Sequence, residues 1–79
     1  GGEEFVILLP FVNVQTAITL ANKLRESIKG YKFPHKKVVT CSIGVSQFIN
    51  DDTETSFFKR ADEALYVAKN TGRDKVVSG

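Results

Sequence analysis

Two adjacent carboxylates near the start of the chain are the first residues that could do chemistry. Glu3 and Glu4 follow the pair Gly1-Gly2 and precede an apolar run that begins at Phe5. Two glycines suit a tight turn and let a ligand approach the backbone, because neither carries a Cβ. Carboxylates at the mouth of a strand could hold a hard cation such as Mg²⁺. In an extended strand the two would point to opposite faces, so a shared site needs a bend there. The alternative is a turn with two solvated acids before a buried strand.

Two cations near the other end of the chain form a second candidate site. Lys69 and Arg73 lie four residues apart, where a predicted helix ends at Gly72. Cations at a helix C-terminus complement the helix dipole, which is a purely structural role. Two cations on one face could instead clamp phosphate groups. These residues alone leave both interpretations open.

Composition narrows the class of protein. The chain has 79 residues, a net charge of +2 with both signs interspersed, and one cysteine. The near balance of charge argues against a general nucleic-acid binder. The longest apolar run, 5–12, is far too short to span a membrane, and no signal peptide is visible, so we expect no direct membrane contact. A single cysteine excludes an internal disulfide and fits a reducing compartment. The chain lacks methionine and opens within a turn signal, so we expect an internal fragment whose N-terminal part is missing.

The hydrophobic pattern predicts strands and helices in alternation. Strands are expected at 5–9, 38–48 and 75–78. The first helix starts after the cap residue Asn13 and ends at Gly30; its apolar stripe is Val14, Ala17, Ile18, Ala21, Leu24 and Ile28. The second covers roughly 54–71, with a stripe of Phe57, Phe58, Ala61, Ala64, Leu65 and Ala68.

The strand at 38–48 has two unlike faces. One is apolar and predicts a core: Val39, Cys41, Ile43 and Val45. The other is small and polar: Thr40, Ser42, Gly44 and Ser46. Cys41 is expected to be a buried, inert thiol. Gly44 indicates a close approach by a ligand or by a packed helix, and the pattern favours neither.

Three stretches, in order and at matching spacing, resemble the GGDEF family of diguanylate cyclases. Residues 1–5 are similar to the GGEEF form of its signature. Residues 40–46 resemble its T-x-S-I-G-V-A strand, and residues 60–73 resemble its R-A-D-x-A-L-Y-x-A-K-x-x-G-R-N helix. The resemblance covers the whole chain, 1–79, as the C-terminal half of one catalytic domain.

The resemblance implies a bacterial signalling enzyme. Family members condense two GTP into cyclic di-GMP and release pyrophosphate, with one GTP on each half of a homodimer. The complete domain uses two Mg²⁺ or Mn²⁺ ions per GTP site and faces the cytoplasm. The alternative is a GGDEF-like module that binds GTP or cyclic di-GMP as a sensor or effector without turnover. The isolated 79-residue chain is expected to be inactive, because the family's first strand carries another metal-binding Asp.

The same resemblance assigns roles to particular residues. Glu3 would be a metal ligand and the catalytic base for the ribose 3′-hydroxyl, and Glu4 would support the metal site. Four residues would contact the nucleotide: Gly1, Gly2, Lys69 and Arg73.

Two further positions follow from the family pattern. Lys23 corresponds to a secondary basic contact of the product-inhibition site, whose R-x-x-D motif lies outside this chain. Asp74 stands where the family usually has Asn. An acid beside Arg73 is expected to weaken phosphate binding without abolishing the site.

The resemblance also predicts the architecture. The family fold resembles a ferredoxin-like, nucleotide-cyclase-like palm, so we expect an α+β sandwich, βαβαβ in order, with a mostly antiparallel sheet. The family's first strand would lie between the strands at 5–9 and 38–48. Without it, we expect those two strands to pair directly or with another copy of the chain. Direct pairing would be parallel, because one helix joins them in a crossover.

Overall fold

The computed structural model describes residues 3–8, 13–35 and 37–79. Along these residues three strands alternate with two helices. The elements are β1 (Glu3–Leu8), α1 (Val14–Gly30), β2 (Cys41–Ser46), α2 (Glu54–Asn70) and β3 (Lys75–Ser78). The predicted α+β class and element order are confirmed. The strand expected at 5–9 begins two residues earlier than predicted, and its last predicted residue, Leu9, lies outside the described residues.

The sheet has the order β1-β2-β3 and is parallel throughout. The expectation of a mostly antiparallel sheet was therefore wrong for these strands. Each strand is joined to the next by a helix, which returns the chain to the same end of the sheet, and such connections give parallel neighbours. The expected direct, parallel pairing of the first two strands is confirmed, with Phe5 in register with Ile43.

The two helices begin where their caps predict. The Asn13 side chain accepts a hydrogen bond from the Thr16 backbone N–H at 2.8 Å, as expected for the start of α1. Thr53 and Ser56 form a reciprocal capping box at the start of α2. α1 ends at Gly30, as predicted, and Tyr31 is its C-cap.

Strand β2 is the centre of the fold, and all six of its residues are buried. Cys41, Ile43 and Val45 form the core with Ala17 and Ala21 of α1. The opposite face of β2 is covered by α2. The sheet therefore lies between the two helices, and burial on both faces is typical of a parallel strand.

The small face of β2 exists because α2 lies directly on it. A Cβ added to Gly44 would lie 2.1 Å from the Ala61 carbonyl oxygen and 2.5 Å from the Leu65 backbone nitrogen. The Ser46 hydroxyl donates to the Phe57 carbonyl oxygen at 2.9 Å. Helix packing therefore explains the close approach that the glycine predicted.

Two members of the predicted apolar stripes were misplaced. Phe58 is 48% exposed and Leu24 is 41% exposed. Adjacent helical residues lie about 100° apart, so of Phe57 and Phe58 only one can face β2. In α1 the buried line runs through Ala17 and Ala21, and Leu24 lies at its margin.

Neither described helix has the length and apolarity needed to cross a membrane.

Candidate functional site

The signature carboxylates lie on β1, on opposite faces of the sheet. Glu3 is in register with Cys41 and Glu4 with Ser42. Cys41 faces α1 and Ser42 faces α2, so Glu3 lies on the α1 side and Glu4 on the α2 side. The described strand is extended at both residues and lacks the bend that a shared site needs. The preceding glycines, Gly1 and Gly2, lie outside the described residues.

This placement bears on the expected metal site. Within residues 3–8, 13–35 and 37–79, no group of three or more His, Cys, Asp or Glu side chains could hold a metal ion. Mg²⁺ is usually held by one or two carboxylates together with substrate phosphates. Glu3 and Glu4 could both bind one ion only if their side chains lay on the same face of the sheet. The described residues therefore do not fit a two-ion site by themselves, and the metal roles of Glu3 and Glu4 stay predictions.

The two predicted phosphate ligands do meet, and they meet at Glu4. Lys69 Nζ lies 3.2 Å from Glu4 Oε1, and Arg73 Nη1 lies 3.6 Å from Glu4 Oε2. All three side chains are partly exposed: 33% for Lys69, 49% for Arg73 and 40% for Glu4. The α2 side of β1 thus carries an open site in which two cations share one carboxylate of the signature.

A shallow cavity adjoins these charges. It is lined by Glu4, Asp62, Leu65, Tyr66 and Lys69 and has a volume of about 180 Å³. The face of α2 beside the cations therefore offers room for a small polar group.

The turn that delivers Arg73 has an unusual backbone. Gly72, Arg73 and Asp74 have φ angles of +115°, +59° and +48°. Positive φ is natural for Gly72 but uncommon for residues with a Cβ. The Arg73 N–H donates to the Ala68 carbonyl oxygen at 2.9 Å, which closes the end of α2.

Asp74 does not pair with its neighbour Arg73 in this fold. Its Oδ1 lies 2.8 Å from Arg25 Nη1, and its Oδ2 lies 2.6 Å from Lys29 Nζ. Hydrogen bonds from Lys29 and then Arg25 lower the pKa of Asp74 below its ordinary value. The acid expected to oppose phosphate binding is thus already matched by two cations of α1.

Cys41 is a core residue, as expected. It is fully buried, and burial, followed by the charge of Asp74, raises the pKa of its thiol. A raised pKa keeps the sulfur as the uncharged thiol, which is the less reactive form.

Sequence reasoning missed an ion pair at the other end of α2. Arg60 donates to both oxygens of Asp52 at 2.7 Å and to the Gln47 carbonyl oxygen at 2.8 Å. Asp52 precedes α2, and Arg60 opens the helix motif at 60–73. The two are eight residues apart, so helical spacing alone gave no signal that they meet.

Lys23 is exposed on α1. Its proposed inhibitory-site contact stays a prediction.

Comparisons with known proteins agree with the sequence motifs. The family model described as "Diguanylate cyclase, GGDEF domain" matches residues 1–75. The chain therefore belongs to the GGDEF domain family.

Curated relatives match nearly the whole chain. It is 42% identical over 78 residues to "Diguanylate cyclase DgcM" of Escherichia coli K12, covering 99% of this chain and 19% of that protein. It is 40% identical over 79 residues to "Diguanylate cyclase DgcP" of Pseudomonas aeruginosa, covering 96% of this chain and 12% of that protein. Identity to "Response regulator PleD" of Caulobacter vibrioides NA1000 is 41% over 83 residues, covering 98% of this chain and 18% of that protein. The chain thus spans less than a quarter of each of these relatives. No solved structure matches it with comparable significance.

Proposed function

We propose that the complete domain containing this chain is a diguanylate cyclase, which condenses two GTP into cyclic di-GMP and releases pyrophosphate. One observation carries the proposal: Lys69 and Arg73 converge on the signature residue Glu4. Glu4 belongs to the first family motif, and Lys69 and Arg73 belong to the helix motif at 60–73. Residues about 65 positions apart in the sequence thereby form one site. Family membership and two relatives named as diguanylate cyclases support the same activity.

The reaction requires a nucleophile, a base and a place for a leaving group. A ribose 3′-oxygen attacks the α-phosphorus of the other GTP, its proton passes to a base, and the bond to the β-phosphate oxygen breaks. Pyrophosphate leaves with the electron pair of that bond. Lys69 and Arg73 are suited to the leaving pyrophosphate, because Lys supplies a point charge and Arg a planar fork of donors.

Glu4 gives these cations a counterion before substrate arrives. Pairs this exposed contribute only about 0–1 kcal/mol each, so phosphate oxygens can replace the carboxylate at low cost. The exchange would leave Glu4 unpaired beside the nucleotide.

The remaining assignments belong to the complete domain. Glu3 is proposed as the base and, with Glu4, as a ligand of one of two Mg²⁺ or Mn²⁺ ions per GTP site. Gly1 and Gly2 would line the nucleotide, and Lys23 would contact cyclic di-GMP at an inhibitory site. The base role requires Glu3 to reach the α2 side, which the extended β1 does not provide. The domain would act as a homodimer in the cytoplasm, where GTP is available, with no nucleic-acid partner and no direct membrane contact from this segment.

A second candidate function is binding without turnover. The site formed by Lys69 and Arg73 at Glu4 could hold the phosphates of GTP or cyclic di-GMP whether or not a reaction follows, so a sensor or effector module is the alternative.

Turnover of GTP by the full domain distinguishes these functions. We expect wild-type protein with Mg²⁺ to form cyclic di-GMP, measured by chromatography. Glu3→Ala should lower the rate by at least ~10²-fold, because a catalytic base contributes about that much. Glu63→Ala, an exposed acid of α2, is the control and should retain the wild-type rate. A Glu3→Ala rate within about tenfold of wild type would exclude the base role, and binding of GTP with no product would favour the second function.

A further inference from the structure

The orientation of Arg73 depends on a backbone conformation that its own side chain disfavours. Arg73 has φ +59° between Gly72 at +115° and Asp74 at +48°. Left-handed conformations crowd the Cβ of an L-residue, so they persist where the surroundings hold them. Two consecutive residues with a Cβ share this conformation here. The turn therefore needs an external anchor.

Asp74 supplies that anchor from the opposite side of the sheet. Its two oxygens bind Arg25 and Lys29 at 2.8 and 2.6 Å, one cation to each oxygen. These cations lie four residues apart on α1, and the Arg25 side chain is only 17% exposed. Arg73 extends instead to Glu4, on the side of the sheet covered by α2. The two neighbouring side chains are thus held by different helices.

We propose that Asp74 is a positioning residue for Arg73: its pairs with Arg25 and Lys29 fix the turn 72–74 that directs the guanidinium to the pyrophosphate part of a nucleoside triphosphate. This inference rests on the proposed phosphate role of Arg73. It opposes the expectation from sequence that an acid at this position weakens phosphate binding. The charge of Asp74 is matched by Arg25 and Lys29 of α1, so Asp74 acts on the site through the backbone of the turn.

A double-mutant cycle on the full domain tests the inference. The probe is inorganic pyrophosphate, and its affinity is measured by calorimetry. We expect Asp74→Ala to weaken binding by about tenfold in the wild-type background, within the range of couplings between contacting residues. In an Arg73→Gln background the same change should alter affinity by less than about twofold, because the residue it positions is gone.

Two further variants test the ties of Asp74 to α1 and the effect of removing an acid from α1. Lys29→Gln removes one of the two partners and should weaken pyrophosphate binding in the same direction, by less than Asp74→Ala. Glu26→Gln is the matched control, since Glu26 also pairs with Arg25, at 3.6 Å, but is itself exposed on α1. Its affinity should equal that of wild type. Equal weakening by Asp74→Ala in both Arg73 backgrounds, or tighter binding in the wild-type background, would overturn the inference.

Amide hydrogen exchange gives a readout that does not depend on binding. The Arg73 N–H donates to the Ala68 carbonyl oxygen, and the Phe57 N–H donates to the Thr53 carbonyl oxygen at the other end of α2. Asp74→Ala should speed exchange at Arg73 and leave Phe57 unchanged. Unchanged exchange at Arg73 would contradict the anchoring role.

The outcome is separable from that of the proposed activity. Wild-type protein that binds pyrophosphate but forms no cyclic di-GMP would refute the proposed cyclase activity. The double-mutant cycle of Asp74 and Arg73 would still test the positioning role. Wild-type protein with no measurable affinity for pyrophosphate would overturn this inference directly.

Discussion

An acid pairs with an arginine at each end of α2, but the acid is buried in one pair and exposed in the other. At the N-terminal end Asp52 and Arg60 meet through two contacts of 2.7 Å, and the Asp52 side chain is 4% exposed. At the C-terminal end Arg73 lies 3.6 Å from Glu4, whose side chain is 40% exposed. Asp52 also accepts hydrogen bonds from the Ile49 N–H and the Ser56 hydroxyl.

The difference separates a buried, structural pair from an exposed pair that a ligand could replace. A buried, fully bonded carboxylate cannot exchange its partner, because the group left behind would be an unpaired charge. An exposed, longer pair contributes little and can be replaced by a ligand. The N-terminal end therefore fixes α2 on the sheet, and the C-terminal end is available to phosphate.

Gly44→Ala should have the largest effect, because it is expected to disturb both ends of α2 at once. Its Cβ would overlap the α2 backbone at Ala61 and Leu65, so the helix must move off β2 and both ends must shift. Overpacking against backbone should cost about 3 kcal/mol, against a total of only ~5 kcal/mol for a small chain. Thermal unfolding of the full domain measures the loss.

Gly30→Ala is the matched control for Gly44→Ala. Among the described residues, no heavy atom lies within 4 Å of a Cβ built at Gly30. Its melting temperature should therefore stay near that of wild type. Equal melting temperatures for the two variants would show that the contact between Gly44 and α2 is not tight in solution.

Asp52→Asn tests the structural pair of Asp52 and Arg60 at the N-terminal end of α2. It removes the charge that binds Arg60 and leaves a half-buried guanidinium with a weaker partner. We expect the melting temperature to fall by several degrees while pyrophosphate affinity stays unchanged. Asp51→Asn is the control, because Asp51 is exposed and its φ of +70° suits Asn. A change in affinity for Asp52→Asn alone would mean that the two ends of α2 are coupled.

Acid should weaken the structural end of α2, with a smaller effect. The hydrogen bond from Arg60, followed by that from the Ile49 N–H, lowers the pKa of Asp52 below its ordinary value of about 3.9. A folded-state pKa below the unfolded one stabilises the protein above the unfolded value, and this stabilisation is lost as the pH falls through the folded value. Asp74 contributes with the same sign. Urea unfolding from about pH 6 to about pH 2 should show a smaller loss for Asp52→Asn than for wild type. Parallel curves would contradict the assignment.

Much of the fold could be predicted from local patterns. The Asn13 cap and the alternating face of Cys41, Ile43 and Val45 depend on neighbours in sequence, and both are confirmed. The direct, parallel pairing of β1 with β2 was one of two predicted options, and the single helix that joins these strands gave its direction. The antiparallel expectation came from the family fold and did not apply to the strands of this chain.

The candidate site, too, could be predicted from local sequence patterns only in part. The spacing of Lys69 and Arg73 predicted cations on one face, and the structure adds Glu4 as their shared partner. The ties from Asp74 to Arg25 and Lys29 join residues more than 40 positions apart, and no local pattern signals them. The signature carboxylates were predicted to share a site only if the chain bends, and the described strand is straight there.

The most direct test of the account compares affinity with stability at the C-terminal end of α2. Lys69→Gln and Arg73→Gln are made separately in the full domain, with Lys59→Gln, an exposed lysine of the same helix, as the control. GTP affinity and melting temperature are measured for each. We expect GTP binding to weaken by about tenfold for Lys69→Gln and Arg73→Gln, because each loses a charge-assisted bond, with melting temperatures close to that of the control. Lower melting temperatures with unchanged GTP affinity would show that these cations serve only the helix end, and would contradict the account.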